Sequence, residues 1–477
     1  MRRSIVALAS TALLACAQDP EMAQLCGIDR DRAITATFAI GGALAGAAAF
    51  VFALYYTHPY TLYGAQSGLI AFTAAMLGGI GRPRGALLAG LMLGIVAAFS
   101  DFYLAVQWTP VLLLALLIGL LVLRPAEAGD TATASAPAAL AARDRNGSQR
   151  SRWMLAALLI LGALYPLLDR LLDGGTQLIV LGGLIFVLLA LGMNLVLGFA
   201  GLLDLGYAAS FAIGAYTAGL LTLPGGALAG LGAQQHTLLV FAVCAGLAAL
   251  YGAANALLTM RLRGEYRAVV TLAFGQIVPL LVVNFDGVTN GARGLTGLPP
   301  PQLFGLALST PTQRYYLAFG LICLTATASL WLGRSRIGRA WAALSADELA
   351  AASSGVPPTH MRVLACSLAS GVAGVAGALF ASSFSYVNPD AAEFRITAMV
   401  LAMVVIGGAG SVSGAIIGAL AIAAIDQFAI SWLGAWAAAR AAEGYWFLGV
   451  FDVRTLNFLF FGLALYVATL LRGRRAT

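Results

Sequence analysis

The polar residues that interrupt the apolar text of this chain set its chemistry. Asn194, Asp204, Tyr207, Gln276, Asn284 and Asn290 stand inside or beside long apolar runs, where an amide or carboxylate is costly unless it is paired or faces water. Such groups either line a polar route for a solute that hydrocarbon excludes or hydrogen-bond one helix to another. Residue type leaves both roles open, and for Asp204 helix capping stays open as a third. A second polar stretch, Gly338 to Gly355 (GRAWAALSADELAAASSG), is flanked by Arg334, Arg336 and Arg362. Its segment from Ala346 to Ser354 predicts a short helix with Asp347 and Glu348 in the first turn, where carboxylates suit the helix dipole. A charged helix pinned between apolar spans reads as a docking element; a plain positive cytoplasmic loop is the alternative.

No catalytic set accompanies these residues. There is no GxxxxGK[ST] nucleotide loop, so the chain is not itself an ATPase, and no HExxH or GxSxG motif stands in a fitting context. The five cysteines, Cys16, Cys26, Cys244, Cys323 and Cys366, show no CxxC spacing, which suggests neither a disulfide framework nor a metal site. His58, His236 and His360 lie far apart, at the ends of apolar runs.

The elements that must position the polar groups follow from composition. Of 477 residues, 60% are hydrophobic, 10% are charged and 56 are glycine, and the mean hydropathy is +0.89. That excludes a soluble domain and fits an all-α polytopic membrane protein. The net charge of +7 comes from short arginine clusters between apolar runs, which marks cytoplasmic loops and not a nucleic-acid surface.

Apolar runs fall at 35–56, 64–81, 86–104 and 108–123, then at 154–171, 177–197, 203–222, 238–259, 266–284, 314–332, 362–383, 396–409, 412–432 and 455–472. This gives about 14 transmembrane or half-membrane helices, some shorter than the roughly 20 residues a straight span needs. The Gly-rich text around Gly78 and Gly81, and again around Gly407 and Gly410, predicts broken or re-entrant helices. Residues 125–152, rich in Pro, Ala, Thr and Ser and ending in Arg143, Arg145, Arg150 and Arg152, read as a cytoplasmic linker. Alternation from that linker puts the clusters at Arg261/Arg263/Arg267, Arg334/Arg336/Arg339 and Arg472/Arg474/Arg475 inside, with 285–313 and 433–454 outside.

The chain also repeats itself. Leu77–Leu91 (LGGIGRPRGALLAGL) matches Ile406–Leu420 (IGGAGSVSGAIIGAL), with Gly78, Gly81 and Gly85 falling on Gly407, Gly410 and Gly414 at an offset of 329. Asp19 and Gly27 fall on Asp347 and Gly355 at 328, so one gap intervenes. Residues 1–124 therefore correspond to the second half of a unit that is complete at 153–477.

These motifs carry a resemblance. The order Gly338, Arg339, Asp347, Glu348, Ala351, Gly355 resembles the coupling-helix loop of ABC importer permeases. Leu197–Leu221 (LGFAGLLDLGYAASFAIGAYTAGLL), RLRGEYRAVVTLAFGQI with VTNGARGLTGLP between Arg261 and Pro299, and VVIGGAGSVSGA resemble the second permease subunit of branched-chain amino acid importers. Residues 17–28 (AQDPEMAQLCGI) resemble the coupling loop of the first subunit, with Asp19, Glu21 and Gly27 in corresponding places. On that reading residues 11–124 are the carboxyl-terminal half of the first subunit, fused to a complete second one. MRRSIVALASTALLAC imitates a lipoprotein signal peptide, but the text after Cys16 argues against cleavage. The Gly-Arg pair that the family carries just upstream of this loop is missing, so either the loop has diverged or the chain starts inside a longer reading frame. Gln276 and Pro279 stand where the family has a Glu and a basic residue.

The resemblance implies an ATP-driven importer of branched-chain or related amino acids in the bacterial inner membrane. Asn194, Asp204, Gly206, Tyr207, Gln276 and Asn290 would border its translocation pathway. Two cytoplasmic ABC ATPases would use the ATP and Mg²⁺, this chain binding no cofactor itself. An extracytoplasmic amino-acid-binding protein would deliver substrate to outer loops such as 285–313, and another permease subunit is a further partner. The alternative from hydrophobicity and repetition alone is an ion-coupled carrier of small zwitterionic or amide solutes, which would want more intramembrane charge than this chain has.

Overall fold

The computed structural model describes residues 11–13, 15–16, 19–55, 62–79, 81–104, 106–123, 148–171, 175–224, 236–260, 262, 265–303, 305–429, 434–436, 439–440 and 462. The run expected at 455–472, apart from residue 462, and the linker up to residue 147 lie outside them. The helices in order are α1 (Pro20–Leu25), α2 (Arg30–Tyr55), α3 (Leu62–Gly78), α4 (Pro83–Tyr103), α5 (Thr109–Leu123) and α6 (Ser148–Leu171). There follow α7 (Gln177–Met193), α8 (Tyr207–Thr222), α9 (Thr237–Leu258), α10 (Glu265–Asn284), α11 (Pro311–Arg334), α12 (Arg336–Ala346), α13 (Glu348–Ser353), α14 (Pro358–Phe384), α15 (Phe394–Gly407) and α16 (Val412–Ala424). The protein is all-α. Among the described residues the strands are two-residue pairs: β1 (Leu295–Thr296) with β4 (Tyr386–Val387), and β2 (Gln302–Leu303) with β3 (Leu306–Ala307), both antiparallel.

Local chemistry sets the helix ends. Asp29 Oδ1 accepts the backbone N–H groups of Asp31 and Arg32 at the start of α2. Thr310 and Gln313 form a reciprocal capping box at α11, with Pro311 in the first turn. Among the described residues seven helices are long and apolar enough to cross a membrane: Arg30–Leu54, Pro83–Tyr103, Gln177–Phe199, Thr237–Leu258, Arg267–Asn284, Pro311–Arg334 and Pro358–Phe384.

The chain divides into two compact units, with the boundary inside α4 between Leu93 and Gly94. In the larger unit α7 is apolar on every side and buried from Leu184 to Met193 apart from Phe186, as a helix surrounded by others must be. It packs against α11, α14, α15 and α16. The buried face of α14 is built from Ala365, Ala369, Ala373 and Ala376. These small side chains let α8 and α9 approach closely, the means by which helices associate where water supplies no driving force.

Candidate functional site

The segment between α11 and α14 folds as its polar residues dictate. Ser335 Oγ accepts the Gly338 N–H at 3.3 Å and starts α12, an amphipathic helix that buries Gly338 and Trp341 and exposes Arg336 and Arg339. The Trp341 indole donates to the Met361 carbonyl at 2.8 Å, tying α12 to α14. Asp347 then breaks the helix: its backbone is extended and its Oδ1 accepts the Ala350 N–H at 3.0 Å. The expected helix from Ala346 to Ser354 is thus shorter, Glu348–Ser353, because Asp347 is its N-cap and not a first-turn residue. Ala351 is buried, Glu348 pairs with Arg362 on α14, and Leu349 stands 76% exposed. Gly355, at φ +87°, ends the turn; its N–H donates to Ala352 and that of Val356 to Ala351. This is the paired bond pattern of a left-handed helix stop, which glycine adopts without strain.

The same construction appears in the smaller unit. Asp19 Oδ1 accepts the Met22 N–H at 3.0 Å, α1 follows with Glu21 on it, and Ala23 is buried at 4% exposure as Ala351 is at 5%. Gly27, at φ +83°, donates to Gln24, and Ile28 donates to Ala23. Pro20 replaces Glu348, so the acidic residue moves one place along. Met22 and Leu25 are exposed, as Leu349 is in the larger unit.

The glycine breaks match as well. A methyl group on Gly407 would lie 2.0 Å from the Gly414 carbonyl oxygen, and one on Gly78 2.1 Å from the Gly85 carbonyl carbon. Both turns use positive φ at equivalent places, Gly408 and Gly410 in one and Gly79 and Gly81 in the other. α15 and α16 therefore form a tight pair of short helices, each about 20 Å long. In the larger unit this turn is gripped from α7, where Asn194 opens a π-helical turn (Asn194–Phe199) and its Oδ1 accepts the Gly410 N–H at 2.8 Å.

Of the six residues expected along the pathway, Asp204, Gly206 and Tyr207 sit together at the start of α8, Gly206 packs beside Gln276, and Asn290 lies in the loop after α10. Asn194 is fully buried and holds Gly410. Asp204 is buried in the non-helical stretch before α8; its Oδ1 accepts the Gly206 N–H at 2.9 Å, closing a local turn, while Gly206 itself is the N-cap. Gly206 touches α10 at Thr271 and Gly275, one residue before Gln276, which is half-buried. The Tyr207 hydroxyl donates to Leu189 at 3.0 Å and Ala369 at 3.3 Å, joining α7, α8 and α14. Asn290 is exposed, in left-handed conformation, and donates to Gly294 within its own loop. Asn284 donates to the Gln107 carbonyl at 3.0 Å. Asn194 and Tyr207 thus make helix-to-helix hydrogen bonds, and Asp204 and Asn290 make bonds within their own turns.

A cavity of about 410 Å³ lies elsewhere, between the start of α7, the end of α14, the start of α15 and the turn that follows α16. Its wall is aliphatic and aromatic, including Ile185, Leu189, Phe211, Phe380 and Met399. Its rim carries Asn388, Asp390 and Arg395, with Asp426 and Gln427 from the π-helical turn after α16. Arg395 contacts Glu393 at 3.8 Å, and Asn388 donates to Asp390. Burial and then the charge of Asp390 push the Glu393 carboxyl above its ordinary range, with Arg395 opposing. None of the rim residues stood out in the sequence, although Asp426 is a carboxylate inside an apolar run and was a legible signal.

Comparison with known proteins places the geometry. The branched-chain amino acid transport system permease component family matches residues 11–121 and 176–470. The high-affinity branched-chain amino acid transport system permease protein LivM of Escherichia coli K12 is 34% identical over 325 residues, 62% of this chain and 73% of LivM. LivH of the same organism is 46% identical over 113 residues, 23% of this chain and 36% of LivH. BraD of Pseudomonas aeruginosa is 43% identical over 111 residues, again 36% of its length. No solved structure matches. With both of its segments matched, this multi-pass membrane chain belongs to the branched-chain amino acid transport permease family.

Proposed function

We propose that the chain forms the translocation pathway of an ATP-driven importer of branched-chain or closely related amino acids in a bacterial inner membrane. The observation that carries the coupling part is the recurrence, 328 residues apart, of one short helix with an Asp N-cap, a buried Ala and a left-handed Gly stop. Each helix holds its backbone rigidly and presents exposed apolar side chains, Leu349 in one and Met22 and Leu25 in the other. Two such helices suit two cytoplasmic ATPases, each gripping one of them; ATP and Mg²⁺ belong to those partners, and this chain is no enzyme. Rigid-body motion of the gripped helices would reopen the pathway alternately to each side. A zwitterion needs such a protein route because its ammonium and carboxylate do not enter hydrocarbon. An extracytoplasmic binding protein would load the outer loops, and another permease subunit is a further partner.

The test is uptake of labelled leucine into vesicles that hold the chain with its cognate ATPases and binding protein. ATP-dependent uptake that Glu348→Arg and Gly355→Trp abolish, with membrane insertion intact, is the expected result. Uptake driven by an ion gradient without ATP, or none with every partner present, overturns it.

A further inference from the structure

The cavity bordered by Arg395 has the chemistry of a binding site. An aliphatic amino acid presents three features at once: a carboxylate, an ammonium about one bond farther along, and a branched hydrocarbon body. The cavity offers a partner for each. Among the described residues Arg395 is its one cation, Asp390 and Asp426 are its carboxylates, and Asn388 and Gln427 supply amides. Below them Leu189, Phe211 and Met399 provide an apolar floor. A volume of about 410 Å³ falls in the range of small-molecule sites.

Its position is informative too. The coupling segment leads into the first residue of α14, whereas the cavity touches Phe380 and Phe384 at the last turns of that helix. α14 has 27 residues, so the two places are about 40 Å apart along it. The cavity therefore lies at the end opposite the proposed ATPase contact, where substrate arrives. Its polar rim is also built on short elements, the 389–392 turn, the start of α15 and the π-helical turn after α16.

We propose that this cavity is the outer substrate subsite, taking a zwitterionic amino acid with an aliphatic side chain: carboxylate on Arg395, ammonium between Asp390 and Asp426, side chain on Leu189, Phe211 and Met399. This rests on the transport reading above. It adds a site and a basis for selectivity that the family assignment does not contain. A solute lacking either charge forgoes the contact with Arg395 or with the two carboxylates, and loses affinity accordingly.

The experiment is binding to the purified full chain in detergent, read as ligand-induced thermal shift. The probes are millimolar L-leucine, leucinamide, which lacks the carboxylate, and 4-methylpentanoate, which lacks the ammonium. L-leucine alone should raise the melting temperature. Arg395→Gln and Asp426→Asn should each weaken the leucine effect by about tenfold or more in concentration, while Arg395→Lys retains part of it. Variants are compared only if their own melting curves without ligand match the wild type; if Arg395→Gln does not fold, Met399→Trp, which fills the floor, replaces it. An equal shift from leucinamide, a leucine shift unchanged in the variants, or no leucine shift in the wild type overturns the site. ATP-driven uptake with all partners is measured in parallel. Its loss with binding intact sinks the importer reading and leaves the site standing, and the reverse result sinks the site alone.

Discussion

The side-chain oxygen of Asn194 accepts the backbone N–H of Gly410 at 2.8 Å, across 216 residues of sequence. One amide thereby fastens the π-helical turn that interrupts α7 to the glycine turn between α15 and α16. Both partners sit where a helix is broken, so the bond satisfies a backbone donor that regular structure leaves unmatched. π-helical turns recur where a helix is adapted to function, and here the adaptation is a clasp.

Replacing Asn194 by Leu should therefore destabilise the chain by about 1–3 kcal/mol, the cost of leaving the partly buried Gly410 N–H without its partner. Thermal unfolding of the detergent-solubilised variant checks this. A melting temperature equal to the wild type would show that the clasp contributes nothing.

The glycine hairpins make a paired prediction. Gly407→Ala and Gly78→Ala each force a methyl group into backbone at about 2 Å and should lower the yield of folded protein. Gly320 on α11 has no atom within 4 Å of an added methyl group, so Gly320→Ala should be neutral or stabilising by up to about 1 kcal/mol, as alanine favours helix. Size-exclusion profiles of the three variants discriminate them.

Tyr207 tests whether a buried polar group in this core serves packing or passage. Its hydroxyl bonds to Leu189 and Ala369, so Tyr207→Phe should cost about 0.5–1.5 kcal/mol of stability and leave the KM for leucine uptake unchanged. A shifted KM with unchanged stability would return Tyr207 to the pathway.

Glu348 and Arg362 form an ion pair at the edge of the proposed ATPase contact. Swapping them, as Glu348→Arg with Arg362→Glu, restores the pair while reversing the sign that faces outward. If the pair only holds α13 on α14, the double variant recovers ATP-driven uptake that Glu348→Arg loses. If Glu348 meets the ATPase, the double variant stays inactive.

Glu393 gives the pH dependence. Burial holds its carboxyl above the ordinary value of 4.5, so the folded state keeps a proton that the unfolded state has released. Its stabilising contribution is full below that value and is lost as pH rises through the raised one. Melting temperatures should therefore fall with rising pH in the wild type relative to Glu393→Gln, and parallel curves would remove Glu393 as the cause.

Much of this protein was legible in its sequence, because membrane hydrocarbon imposes length and apolarity on every span. Each described apolar run is met by a helix, and the Asp and Gly residues of the two short capped helices, like the paired glycines, could be read directly since capping and left-handed turns are local chemistry. The repeat at offsets of 328 and 329 likewise needed nothing but the text. What the sequence could not decide is which distant groups meet. That Asn194 reaches Gly410, that Tyr207 bonds to Leu189 and Ala369, and that Arg395, Asp390 and Asp426 border one cavity all depend on packing between helices far apart in the chain. A polar residue in an apolar run announces that it must be satisfied; only the tertiary structure decides by what.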